Sequence, residues 1–406
     1  MPGSPNPGRT IRTLTGVDPL ERLRDPWQHD RYAQFRSPVG LFGVDAESLP
    51  VRRICVLLGS TDISGGTYVV LQHVLRLQEA GHHVTIVPHW PATESTTSWH
   101  RAYADVQLST FDEVADQQFD VAIATWWRTA YDLPKVSASH YVYFVQSIES
   151  RFHAYEFGAT PDLIDATYDL PMVAITIAPW LQSFLMLEYE RPAFLVPNGI
   201  DKHSFTPVGP SVTPRPRDSV RVLVEGPVDV EMKNVPLSIE LARRAGATEI
   251  WLLTSSDVQE VVGVDRVFSR VPVTSTPAIY RSCDVLMKLT QVEGMFGPPL
   301  EMFHCGGTAV TWDVTGHEDY MVNDVNSLVV ATGDREATVQ AMKSVIEDPE
   351  LLLRLKRGAA RTASEWPSWE QASAKFADVV SVIASRPAGS NDELLASCAV
   401  GARSLP

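Results

Sequence analysis

The chain of 406 residues is 44% hydrophobic and 20% charged, with a net charge of −15. That is a globular composition, and the length suits two domains better than one core. The acidic balance provides no basic surplus to neutralise nucleic-acid phosphates and disfavours docking on an anionic membrane.

Residues 1–50 are rich in Pro, Arg, Asp and Gly without a sustained period, and read as an N-terminal extension wrapped on the surface. The first stretch, "MPGSPNPGRTIRTLTG", lacks a secretory apolar core, and no apolar run reaches the roughly 18 residues of a spanning helix. The expected compartment is the cytoplasm, with no membrane association indicated. The ordered fold is expected to begin at "RRICVLLGS". A glycine pair then opens a helix whose Val70, Leu71, Val74, Leu75 and Leu77 fall at helical spacing, with Gly81 as its C-cap. The strand "VTIVPHW" completes a βαβ unit, which implies a parallel sheet. Further strands are predicted at "DVAIATWW" (120–127), "HYVYFVQ" (140–146), "MVAITIA" (172–178) and "AFLVPNG" (193–199), with a helix, "APWLQSFLMLEYE", between the last two.

The stretch "PVGPSVTPRPRDS" (207–219) holds four prolines and little apolar content, and reads as a linker. Beyond it the alternation restarts with "VRVLVEG", "NVPLSIELARRAG", "EIWLLTS", "DRVFSRV", "STPAIYRSC" and "DVLMKLT". It continues through "TAVTWDV" and "NSLVVA" to two long helical patterns over about 335–384. The expected organisation is an extension (1–50), an N-terminal Rossmann-like domain (51–205), a linker (206–219) and a C-terminal Rossmann-like domain (220–370). A C-terminal helix crossing back to the first domain, then a mobile tail, is expected over 371–406. Two doubly wound α/β domains so joined face each other across a cleft, and ligands of such sheets bind outside the carboxyl ends of the strands.

Four stretches fall at such ends. In "GSTDISGGTY", Gly65 and Gly66 precede a helix and let backbone approach a diphosphate, although a glycine pair there also serves as a tight turn. In "VEGPVDVEMKNV", Lys233 stands before a helix start, where a cation opposes the dipole unless an anion sits beside it. "FLVPNGIDKHSF" ends a strand in an Asn-Gly turn that includes Asn198. In "EGMFGPPLEMFHCGG", Glu293 and Glu301 flank a strand-to-helix crossing that presents backbone N–H groups to an anion. Taken singly, each glutamate reads equally as a capping acid or a solvated helix residue. The four cysteines, Cys55, Cys283, Cys305 and Cys398, are scattered. They suggest no disulfide framework or zinc site, and the first three read as buried thiols.

In combination, "SGGTYVVLQHVLRLQEAGHHVTIV", "VPNGID", "EGPVDVEMKN" and "EGMFGPPLE" resemble the retaining glycosyltransferases of the GT-B fold, family 4, over about residues 52–370. "YFVQSIESRFHAYEFG" and "PPLEM" further resemble the bacterial rhamnosyltransferases that build surface glycans. The resemblance implies a nucleotide-diphosphate sugar (UDP, dTDP or GDP) as co-substrate, with no cofactor and no metal; the lack of an Asp-x-Asp triplet fits that reading. It places Glu301 on the ribose hydroxyls and Glu293 on the donor sugar. Lys233, with the backbone of Met295, Phe296 and Gly297, takes up charge on the diphosphate, which Gly65 and Gly66 face from the other domain. Asn198 falls in the inter-domain motif. The acceptor, a glycan or small natural product, is expected in the N-terminal domain near Trp126, Gln146, Glu149 and His153. Where family members carry Gly-Arg, this chain has Gly226-Pro227, and Arg128, Arg151 or Arg270 are the candidates to replace that cation. A non-catalytic sugar-nucleotide-binding protein, or a GT-B epimerase or phosphorylase, are the alternatives.

Overall fold

A computed structural model describes residues 50–151 and 160–403; the expectations for residues 1–49 and for His153 lie outside them. The first sheet is built from β1 (Arg53–Leu58), β2 (His83–Pro88), β3 (Gln107–Leu108), β4 (Gln118–Ala124), β5 (Ser137–Val145), β6 (Val173–Thr176) and β7 (Ala193–Leu195). Its order is β3-β2-β1-β4-β5-β6-β7, all parallel. From Ile54 onward β1 is buried at every position, as a strand covered on both faces requires. Helix α1 (Gly65–Glu79) starts where the Ser64 hydroxyl accepts the Thr67 N–H, and ends before Gly81, whose φ of +88° suits a residue without Cβ. The short α2 (Trp127–Asp132) follows β4, and α3 (Pro179–Tyr189) follows β6.

The second sheet repeats the plan with β8 (Arg221–Glu225), β9 (Glu249–Thr254), β10 (Arg266–Ser269), β11 (Val285–Lys288), β12 (Thr308–Trp312) and β13 (Leu328–Val330), in the order β10-β9-β8-β11-β12-β13. Helices α4 (Val235–Arg244), α5 (Thr276–Ser282), α6 (Gly297–His304), α7 (Arg335–Glu347) and α8 (Pro349–Glu365) flank it. In each sheet the strand order reverses beside the first strand. The loops after β1 and β4, and those after β8 and β11, therefore open the crevice in which doubly wound sheets bind ligands.

The apolar cores follow the sheets, with two exceptions. Ile200 and Phe205 already pack with Leu223, Tyr280 and Phe303 of the second unit. The Pro-rich stretch is tied to that same unit: Arg281 donates to the carbonyls of Ser204, Thr206 and Pro210, and Arg215 to those of Cys305 and Gly306. In the other direction, α9 (Trp369–Ala384) packs on the first core. There Phe376 stacks on His73 at 4.3 Å, and the Ser373 hydroxyl meets His73 Nδ1 at 3.0 Å.

The expected mobile tail is corrected. Residues Asp392–Arg403 form a helix, α10, with Leu394 and Cys398 buried one turn apart against the first core. The short segment follows Pro387, Gly389 and Ser390, which read as a break, and the docking face on α2, where Cys398 meets the Ala130 carbonyl, orders the helix. All four cysteines are buried thiols.

Candidate functional site between the two sheets

The loops at the carboxyl ends of both sheets meet. Gly294, after β11, lies so close to Gln146, after β5, that a Cβ there would stand 1.8 Å from the Gln146 carbonyl oxygen. Gln146 Nε2 in turn donates to the Gly66 carbonyl at 3.3 Å. Trp180 Nε1 donates to the Gly294 carbonyl at 2.7 Å, and Met295 packs against both cores. Asn198 Nδ2 approaches Met295 Sδ at 3.8 Å, while the Asn198 carbonyl accepts from Trp366 Nε1. Gly199 packs on the backbone of Ser368 and Trp369 with no room for a Cβ. The Asn-Gly motif is thus the seat on which the chain crosses back.

Beneath this seam is a cluster of charge. Lys233 ends a helical turn (Glu231–Lys233), and its Nζ meets Glu293 Oε1 at 2.7 Å. Asn234, at φ +48°, turns the chain into α4 and donates from Nδ2 to the Leu289 carbonyl. Lys288, at the end of β11, is buried and paired with Glu225, whose carbonyl it also reaches at 3.2 Å. Burial alone would lower the Lys288 pKa, but Glu225 and then Glu293 outweigh it and hold it above the ordinary lysine value. Glu301, on α6, shares this space and the Tyr280 hydroxyl. Burial, then the charge of Glu225, push it up to about 7 against the pull of Tyr280 and Lys288. Three carboxylates share this space with two ammonium groups, and burial is the main reason that Glu301 resists ionisation.

Of the backbone donors expected at the α6 start, only some are available. Gly297 N–H donates to the Met295 carbonyl at 3.0 Å, and Pro298 and Pro299 occupy the next two positions without an N–H. The Phe296 carbonyl is fixed by the Tyr320 hydroxyl. A loop that the sequence reading passed over, Thr315-Gly316, closes on the acidic turn: Thr315 Oγ1 donates to the Glu293 carbonyl at 2.9 Å, and Gly316 (φ +87°) packs on Gly294.

The acceptor-side candidates divide. The strand expected over 120–127 ends at Ala124, and the two tryptophans stand at the start of α2, Trp127 buried and Trp126 partly exposed. Glu149 is buried, and its carboxylate accepts the Trp127 N–H at 2.7 Å and the Tyr143 hydroxyl at 3.2 Å. Both donors belong to the first unit, so this carboxylate anchors the start of α2. Among the candidate cations, Arg270 is exposed beside Asp257 and Arg128 lies over the rings of Trp90 and Trp127. Arg151 lies over the Trp180 ring at 5.6 Å, beside the acidic turn. Lys288 was missed, although a lysine within the apolar run "VLMKL" of a central parallel strand is a legible signal of a buried charge.

Two Rossmann-like sheets facing each other in this way define the GT-B fold, and solved structures of that architecture superpose on the chain. HepE from Anabaena, in complex with UDP and glucose, aligns at a TM-score of 0.64 and 12% identity, covering 82% of this chain and 100% of its own. Sucrose-phosphate synthase from Thermosynechococcus elongatus aligns at 0.62 and 16%, covering 81% and 98%. Residues 265–362, which include the acidic turn, match the family of glycosyl transferases group 1. The chain is also similar to the O-antigen biosynthesis protein RfbC of Myxococcus xanthus, with 30% identity over 261 residues, 62% of this chain and 20% of RfbC. It therefore spans about a fifth of the length of that relative. Among the described residues no helix is long and apolar enough to cross a membrane.

Proposed function

We propose that the protein is a glycosyltransferase of the family 4 type that moves a sugar from a nucleotide diphosphate to an acceptor hydroxyl with retention at the anomeric carbon. One observation carries this reading: the Lys233–Glu293 pair, the Glu301 pocket and the Gly66–Gln146 contact converge on one seam between the two sheets. Glu301 accepts from the ribose hydroxyls. Glu293 holds the donor sugar and keeps the Lys233 ammonium over the diphosphate. As the bond from the anomeric carbon to the phosphate oxygen breaks, its electron pair leaves on the diphosphate. The charge is met by Lys233, by Arg151 in place of the family arginine, and by the N–H groups of Met295 and Phe296. Preorganised donors of this kind supply a large share of rate enhancement. The acceptor oxygen attacks from the same face while its proton passes to the departing phosphate oxygen, so the reaction needs no enzyme nucleophile and no metal. The likeness to RfbC and to the rhamnosyltransferases favours a surface-glycan acceptor and a deoxysugar donor.

Calorimetric titration with UDP, dTDP and GDP, beside Lys233→Ala and Glu301→Ala, tests the donor site. One nucleotide should bind, and both variants should weaken it at least tenfold; binding unaffected by either variant rejects the assignment. Chelator should leave turnover unchanged. A non-catalytic binder is the second reading, favoured by Pro227 where the family has arginine. Turnover that disappears in Glu293→Ala excludes it.

A further inference from the structure

Lys288 and Glu225 have no part in the reaction drawn above, yet their charges fall on a residue that does. Strands β8 and β11 are neighbours with Met287 opposite Val224, so Lys288 and Glu225 follow side by side at the two carboxyl ends. The Lys288 side chain is 4% exposed and that of Glu225 23%. The ammonium donates to the Glu225 carboxylate and, at 3.2 Å, to its carbonyl. Gly226 leaves it room: a Cβ there would stand 3.6 Å from Nζ. A pair placed so deep seldom adds stability over apolar residues of like size, so its value lies in the field it sets at the strand ends.

Glu301 is the group in that field. It reaches the same strand ends from α6 and hydrogen-bonds Tyr280 on α5. Around it stand Glu225 on β8, Tyr68 on α1, Tyr320 in the loop after β12 and Cys305 at the end of its own helix. All of these are neutral or acidic. Among the described residues the cation that acts on Glu301 is Lys288, against burial and the charge of Glu225. The other lysine, Lys233, is tied to Glu293 at 2.7 Å. We propose that Lys288 is a positioning residue of the donor site, with Glu225 as its counterweight: the ammonium keeps Glu301 in the ionised form that accepts from the ribose hydroxyls. The inference rests on the glycosyltransferase reading above. An ionised carboxylate accepts on both oxygens, whereas the protonated acid has a hydrogen of its own to place.

The two partners act with opposite sign. Lys288→Met removes the favourable charge and leaves Glu225, so Glu301 holds its proton to higher pH. Glu225→Gln leaves the ammonium alone, so Glu301 releases its proton at lower pH. The experiment is a carbon-13 NMR titration of the Glu301 carboxyl in the full chain without nucleotide, assigned by its loss in Glu301→Gln. From a wild-type midpoint of about 7, Lys288→Met should move it up and Glu225→Gln down, each by about one unit or more. Lys288→Arg, which keeps the charge, should stay near wild type, and the double variant should fall between the two single ones. UDP, dTDP and GDP are then titrated against each protein from pH 5 to pH 9. For the nucleotide that binds, Lys288→Met should be about fivefold weaker at pH 7 and recover by pH 9. Midpoints that stay in place, or that move the same way in both single variants, overturn the inference, as does weak binding that pH 9 does not restore. A purely structural pair would lower the melting temperature without these opposed shifts. Should Lys288→Met fail to fold, Glu225→Gln decides alone, since its midpoint must fall. The carboxyl titration needs no ligand, so opposed shifts in a protein that binds no nucleotide would defeat the donor assignment alone.

Discussion

Glu301 sits where burial and the Glu225 charge oppose its ionisation, with its pKa raised from 4.5 to about 7. A folded-state pKa above the unfolded one means that the folded protein binds the proton more tightly between those values, so stability falls as pH rises from about 4.5 through about 7. Glu301→Gln, a neutral mimic, should therefore leave stability unchanged at pH 4 and raise it at pH 8 by up to roughly 3 kcal/mol, as read by denaturant midpoints. Ribose hydroxyls that donate to the ionised carboxylate reverse the preference. Nucleotide affinity should rise with pH through 7 in the wild type and be flat and weaker in the variant. Lys288 presents the complementary case. Lys288→Met leaves the partly exposed Glu225 without its buried partner and should cost about 1–3 kcal/mol. Adding Glu225→Gln should restore most of that stability, as read by the same denaturant midpoints.

At the scale of elements, α9 belongs in sequence to the second unit and in packing to the first. Phe376 is buried between His73 and Phe144, with ring centroids at 4.3 and 5.2 Å. Phe376→Ala should cost about 3–5 kcal/mol by cavity formation, seen in thermal or denaturant unfolding, although the residue lies far along the chain from the strands it supports. Burial pushes His73 down to about 3, so this contact should be insensitive to pH across the neutral range. The turn into α6 shows how a sequence signal and its chemistry come apart. A strand-to-helix crossing predicts a set of backbone donors, yet Pro298 and Pro299 delete two and Gly297 spends its own on Met295. Gly294 is demanded by proximity rather than by dihedral angle. Gly294→Ala would push a Cβ into the Gln146 carbonyl and should cost about 1–3 kcal/mol, or else part the two sheets and weaken nucleotide binding; calorimetry beside a melting curve reads both.

At the scale of the molecule, polar contacts among the described residues that join the two units include Trp180 to Gly294, Asn198 to Met295, and Trp366 to the Asn198 carbonyl. A donor must enter this seam, so these contacts set the balance between open and closed forms. Trp180→Phe removes one hydrogen bond worth about 1 kcal/mol and should raise the donor KM about fivefold with little change in kcat. The sequence by itself determined the alternation of strand and helix in both units, because buried parallel strands must be apolar on both faces and their helices periodic. It also determined the order of the loops that carry Gly66, Lys233, Glu293 and Glu301, since in such a sheet strand order fixes which loops share an end. Only the tertiary structure decided what those loops touch. It turned Glu149 into an anchor for α2, buried Lys288 beside Glu225 and ordered α10 against the first core. Those outcomes depend on contacts between residues distant in the chain, and a local pattern of polarity carries no record of the partner that will satisfy a buried charge or cover an apolar face.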